Sequence, residues 1–251
     1  MYTNIMILYT KKGLKNALGA VYTIITTVIY TIILGTPTLF IALVSKTGKA
    51  PYSMGKVWAW LITVTNRVKV QVEGMDNIIR SKSYVFISNH ASHLDALAIC
   101  RSIPHTMRFV AKRSLAKVPI FGWCAKLGKI IFIDRGNSKA AIETVNKAIA
   151  DLKDGISAFF FAEGTRSLDG KLLPFKKGGV VFAIKSKLPI VPITIVGSYK
   201  LLPKKCLRIR PGTLKIIVGK PIDTAQYTEK DRDYLLYKVR ETIRKNLDLA
   251  A

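Results

Sequence analysis

The chain predicts an α/β fold, a mostly parallel mixed sheet flanked by helices, preceded by a membrane-associated segment of two helices. Three observations carry this. From Val68 onward seven short apolar runs alternate with stretches of helical period. Helix-start residues follow several of those runs, and ahead of them residues 18–45 contain no charge at all. At 251 residues there is room for one sizeable core. The natural division sets 1–66 apart as anchoring helices and 67–251 as the α/β domain.

The uncharged stretch would reach about 42 Å as a straight helix, more than the roughly 30 Å of a hydrocarbon layer. Gly35, Thr36 and Pro37 are expected to interrupt it, leaving 18–34 as a shorter helix of about 26 Å. Lysines lie on both sides, so the positive-inside rule gives no orientation. A second helix follows, because Met54, Val57, Trp58, Leu61 and Ile62 share one face, with Tyr52 and Trp60 nearby. Aromatic rings beside an apolar stripe suit the headgroup level of a bilayer. Both helices are therefore expected to lie in one leaflet, with a true span as the alternative.

Strands are expected at 68–72, 84–88, 108–111, 130–133, 156–162, 190–196 and 214–218. Helices should begin near Ser92, Pro119, Ser138, Gly179 and Thr228. The last carries Glu229, Asp231 and Asp233 early and Arg240, Arg244 and Lys245 late, which complements its dipole.

Charge narrows the class of partner. Forty Lys and Arg against fifteen Asp and Glu leave a net +25. No acidic residue precedes Glu73, none lies between Asp95 and Asp134, and none between Asp169 and Asp223. Such stretches point to a polyanion. No RNA-binding aromatic motif, zinc-ligand spacing or helix-turn-helix signature is present, so an anionic membrane surface is favoured over nucleic acid. Cys100, Cys124 and Cys206 are scattered with no metal spacing and read as buried thiols of a reducing compartment.

The chemistry begins in residues 89–95, where His90 and Asp95 stand five apart directly after an apolar run. On one continuous helix they would point about 140° apart. They meet if His90 lies in the loop and Asp95 in the first helical turn, a placement that Ser92 favours as a helix cap. An imidazole held by a carboxylate is a general base for a hydroxyl, which suggests acyl transfer to an alcohol without a protein nucleophile.

Three further blocks follow. Glu163-Gly164-Thr165-Arg166-Ser167 lies just past an apolar run, where a glycine turn and an arginine fork suit a phosphate. Lys112 and Arg135 each stand at the end of a candidate strand, where α/β folds bind ligands. Residues 188–193 read as a buried strand entered through prolines.

The order and spacing of these blocks, residues 89–95, 128–135, 163–167 and 190–193, resemble the glycerophospholipid acyltransferase family. The resemblance covers roughly 68–223. It departs at Ala162, where many members carry proline. It implies that the hydroxyl of a 1-acyl-glycerol-3-phosphate attacks an acyl thioester of coenzyme A or acyl carrier protein, giving phosphatidic acid. His90 would be the base and Asp95 its orienting partner, with nearby backbone amides holding the oxyanion. Lys112, Arg135, Arg166 and the Gly164-Thr165 turn would bind the acceptor phosphate, and Glu163 either organises that turn or binds the acceptor. No metal site is expected, since Asp and Glu are sparse and neither His93 nor His105 has a ligand-spaced partner; no cofactor is expected, and the partners are expected to be lipids at a membrane, on its cytoplasmic face. Glycerol 3-phosphate or another lysophospholipid as acceptor, or a basic membrane-binding protein without catalysis, are the alternatives. His93 and His105 are expected to be structural or exposed.

Overall fold

The computed structural model describes residues 2–133, 138–150, 152 and 155–250. Helix α1, Tyr2–Val44, turns at residues 45–48 into α2, Lys49–Thr65. Then come β1 (Val68–Glu73), β2 (Val85–Ser88), α3 (Leu94–Ser102), β3 (Thr106–Lys112), α4 (Phe121–Leu127), β4 (Ile131–Ile133) and α5 (Ser138–Ile149). The chain continues with β5 (Ile156–Phe161), α6 (Gly178–Ser186), β6 (Ile190–Val196), α7 (Ser198–Leu201), β7 (Gly212–Val218) and α8 (Arg232–Leu249). All seven expected strands form, displaced by at most two residues at an end. The short α7 carries no periodic signal and was not foreseen.

The strands make one sheet in the order β1-β7-β6-β2-β5-β3-β4. β6, β2, β5, β3 and β4 run parallel, while β7 is antiparallel to β6 and parallel to β1. The central strands are apolar on both sides because both faces are covered, as parallel sheets require. Phe86, Phe159, Val191 and Ile193 pack with Ile62 of α2 and Leu94, Ala98 and Ile99 of α3. Val85, Ile87, Ala158, Phe160 and Ile190 pack on the opposite face with Phe182 of α6 and Leu235 and Val239 of α8. β2 lies between β5 and β6, and β5 returns to the centre after the chain has reached the edge at β4. The carboxyl ends of β2, β5 and β3 therefore open on one crevice, where open α/β sheets bind ligands.

Three expectations change. Helix α1 runs unbroken through Gly35 and Pro37. Threonine hydroxyls beside the proline donate back to helix carbonyls, Thr36 Oγ1 to Ile32 O at 2.9 Å and Thr38 Oγ1 to Leu34 O at 2.6 Å, and neighbouring elements support this stretch. In α2 the stripe splits by environment, for Ile62 is buried while Val57 is about half exposed. Part of that stripe is core. The cysteines also divide: Cys100 and Cys124 are half-buried, but Cys206 is exposed.

Polar contacts fasten α1 along its length. Arg208 Nη1 donates to Asn16 Oδ1 at 2.7 Å, Ile209 N–H to Thr23 Oγ1 at 3.3 Å and Trp58 Nε1 to Thr31 Oγ1 at 3.1 Å. Tyr30 and Thr65 share a hydroxyl bond of 2.8 Å. Near the α1–α2 turn, fully buried Arg108 of β3 donates to Thr47 O and, at 2.8 Å, to Gly128 O.

Candidate active site

The loop after β2 is held before its chemistry begins. The Asn89 side chain donates to Ile195 O at 2.9 Å and accepts Ile195 N–H at 2.8 Å, extending the sheet pairing toward β6 with a side chain. Ser92 Oγ accepts Leu94 N–H at 3.1 Å and donates to Leu202 O at 2.8 Å, opening α3 and tying it to the loop after α7. Asp95 then folds back from the first turn. Its Oδ2 lies 2.8 Å from His90 Nδ1 and accepts Ala91 N–H and Ser92 N–H, each at 2.8 Å.

This geometry sets the histidine's role. A fully buried carboxylate fixes Nδ1, which leaves Nε2 as the nitrogen available to a substrate proton. The ring stacks on Phe161 with centroids 3.9 Å apart and planes 18° from parallel. Sequence reasoning missed Phe161. The parallel register pairs Ser88 with Phe161, two residues before His90, so correct pairing of β2 with β5 would have revealed it.

Glu163 completes the support. It is 3 % exposed, and its two oxygens accept His90 N–H at 2.7 Å and Leu173 N–H at 3.2 Å. Burial pushes its carboxyl up to about 7 against the pull of those two amides, and the charge of Asp95 pushes the same way. Glu163 thus ties the loop after β2 to the segment around Leu173. The amides of His90, Ala91 and Ser92 are all engaged by Glu163 or Asp95. Those three amides are thus spent on holding the loop.

Gly164 follows at φ 67°, and a side chain there would meet Lys176 at 3.0 Å. The turn carries Thr165 and Arg166 to the wall of a cavity of about 550 Å³. His90, His93, Lys112 and Lys204 also line it. Burial lowers Arg166 from its ordinary value while Asp95 opposes the shift, and an arginine stays cationic in any case. His93 is lowered to about 4 by burial, then by Arg166 and His90, so it is a neutral imidazole above pH 5. His105 is buried with Nε2 3.1 Å from Ile79 O, a core histidine. Arg135 and Asp134 lie outside the described residues. Much of the remaining lining is apolar, including Leu34 of α1, Trp58 of α2 and Phe121 of α4.

A base, cations and a largely apolar lining in one cavity suit an amphiphile with an anionic head and a hydroxyl. A family model described as Acyltransferase matches residues 69–196. The chain is 32% identical over 205 residues to the chloroplastic 1-acyl-sn-glycerol-3-phosphate acyltransferase BAT2 of Brassica napus, covering 81% of this chain and 58% of that protein. To the 1-acyl-sn-glycerol-3-phosphate acyltransferase of Saccharomyces cerevisiae it is 32% identical, covering 79% and 69%. It spans somewhat over half the length of the plant chloroplastic relatives, 55% for that of Arabidopsis thaliana. The crystal structure of the 1-acyl-sn-glycerophosphate acyltransferase PlsC from Thermotoga maritima superposes with a TM-score of 0.81 at 27% identity, covering 95% of this chain and 97% of that one. With the matched region holding both the His90–Asp95 pair and the Glu163–Arg166 turn, this chain belongs to the acyltransferase family.

Proposed function

We propose that this protein transfers an acyl group from an acyl thioester to the free hydroxyl of 1-acyl-glycerol-3-phosphate, producing phosphatidic acid. The observation that carries the reading is the His90–Asp95 pair beside a cavity whose lining joins cationic and apolar side chains. Nε2 of His90 takes the hydroxyl proton as the oxygen attacks the thioester carbonyl. Asp95 stabilises the imidazolium as it forms. Collapse of the tetrahedral intermediate expels the thiolate, which recovers the proton. A thioester is already an activated acyl group, so the reaction needs neither a protein nucleophile nor a resident cofactor. Coenzyme A and acyl carrier protein are the two donors of suitable chemistry.

Acceptor and product are lipids, and the fold supports a site that opens into a bilayer. Residues 13–44 of α1 form a helix long and apolar enough to cross a membrane, with a mean hydropathy of 2.0. Its outer face, including Ile25, Ile29, Ile32 and Phe40, is exposed and continues across Trp60 and Trp123. The inner face is fastened to the domain from Asn16 to Thr47. That fastening supports a placement of both helices in one leaflet rather than a true span, and the basic surface suits the anionic lipid of a cytoplasmic face.

The test is a panel of acceptors offered to the purified protein in mixed micelles with each thioester donor, products being identified by mass. Phosphatidic acid from 1-acyl-glycerol-3-phosphate is the expected product. Acylation of glycerol 3-phosphate or of a lysophospholipid diester alone would reassign the acceptor, and vesicle binding without turnover would remove the enzymatic reading.

A further inference from the structure

Lys204 lies in none of the sequence blocks, yet it reaches the turn that carries Arg166. Its ammonium donates to Arg166 O at 2.9 Å and to Thr165 Oγ1 at 3.3 Å. An ammonium has three donors, so one N–H remains for an oxygen in the cavity that Lys204 helps to line. The segment bearing it is pinned on two sides, by Ser92 Oγ to Leu202 O and by Ile209 N–H to Thr23 Oγ1. Three cationic side chains thus enter one cavity from three different elements: Lys112 from the end of β3, Arg166 from the turn after β5, and Lys204 from the α7–β7 connection. Among the described residues none of the three forms an ion pair with a carboxylate.

We propose that Lys204 is the third cation of the acceptor's phosphate subsite and makes it selective for a phosphate monoester over a diester. The inference rests on the acyl-transfer reading and deepens it. A monoester dianion presents three terminal oxygens and nearly two charges, whereas a diester presents two oxygens and one charge. Three cations lining one cavity suit the first. Because Lys204 also holds the Thr165–Arg166 turn, removing it withdraws one direct donor and loosens the seat of a second. A charge-assisted hydrogen bond is worth enough for a roughly ten- to hundredfold change in affinity.

The experiment measures binding of two lipids without a reactive hydroxyl, hexadecyl phosphate and its methyl diester, in neutral detergent through the fluorescence of Trp58, which lines the cavity. Wild type, Lys204→Ala, Lys204→Gln and Lys204→Arg are compared, with melting curves for each. Wild type is expected to favour the monoester. Lys204→Ala and Lys204→Gln should weaken monoester binding at least tenfold with little change for the diester, and Lys204→Arg should restore part of the preference. Parallel turnover on 1-acyl-glycerol-3-phosphate should show KM rising more than kcat falls. Equal weakening for both lipids, or no change for either, would overturn the subsite role and leave Lys204 a structural tie. Absence of turnover in wild type would count against the acyl-transfer reading, while the binding comparison still decides the role of Lys204.

Discussion

In the proposed reaction, single residues at the site divide into His90, which takes the proton, and several that hold it. Asp95 fixes the ring nitrogen, Phe161 the ring plane, Glu163 the backbone and Asn89 the whole loop. Truncating Phe161 to alanine should leave the protein folded but let the imidazole rotate, so kcat is expected to fall while KM for the acceptor changes little. Steady-state kinetics would check this, and unchanged kcat would show that the stack is incidental. Glu163 gives a pH prediction. Its carboxyl is held at about 7 in the fold, above the ordinary 4.5, so the unfolded chain loses that proton first as pH rises. The folded state then binds more protons, and this group's contribution makes stability fall between about pH 4.5 and 7 and level off above. Melting temperature measured across that window should have a flatter pH slope in Glu163→Gln than in wild type; an identical slope would contradict the shift. The sequence disclosed the His90–Asp95 pair because their spacing is local. It did not disclose Phe161 or Lys204, which reach the site only through strand pairing and a distant connection.

At the scale of elements, strands were the more legible, since both faces of the sheet are covered and each central strand reads as a continuous apolar run. Helix α1 was misread at Pro37, because local propensity argues for a break and tertiary support decides otherwise. That support is close packing. A side chain at Gly35 would place its Cβ 2.3 Å from Ile120 Cγ2, so only glycine lets α1 lie against the segment before α4 at this point. Gly35→Leu should push these elements apart at the cavity's apolar lining, lowering activity on long-chain substrates more than on short ones. A chain-length series would read this, and a uniform loss would indicate general unfolding instead. Arg108 clamps Thr47 and Gly128 from a fully buried position. Replacing it with Met removes the donor to both carbonyls, that of buried Gly128 among them, and should cost about 2–4 kcal/mol, measurable by denaturant unfolding.

The whole molecule joins an excess of basic charge to an exposed apolar helix face, two terms with different salt dependence. Each Lys or Arg near an anionic surface contributes roughly 1 kcal/mol, and added salt screens it. Burial of the α1 face in hydrocarbon is insensitive to salt. Binding to anionic vesicles should therefore weaken as salt rises, toward a plateau equal to the binding on neutral vesicles. Complete release from both at high salt would show that α1 does not enter the lipid. Charge and hydropathy were open to reading from the sequence, but the fastening of α1 to the domain was not, because it depends on contacts between residues far apart in the chain. The central claim is that His90 removes the proton from a lipid hydroxyl. It is tested most directly by comparing kcat for wild type and His90→Ala on 1-acyl-glycerol-3-phosphate, alongside their melting curves. A fall of about 10² to 10⁴ with an unchanged melting transition is the predicted result, and full activity in the folded variant would contradict it.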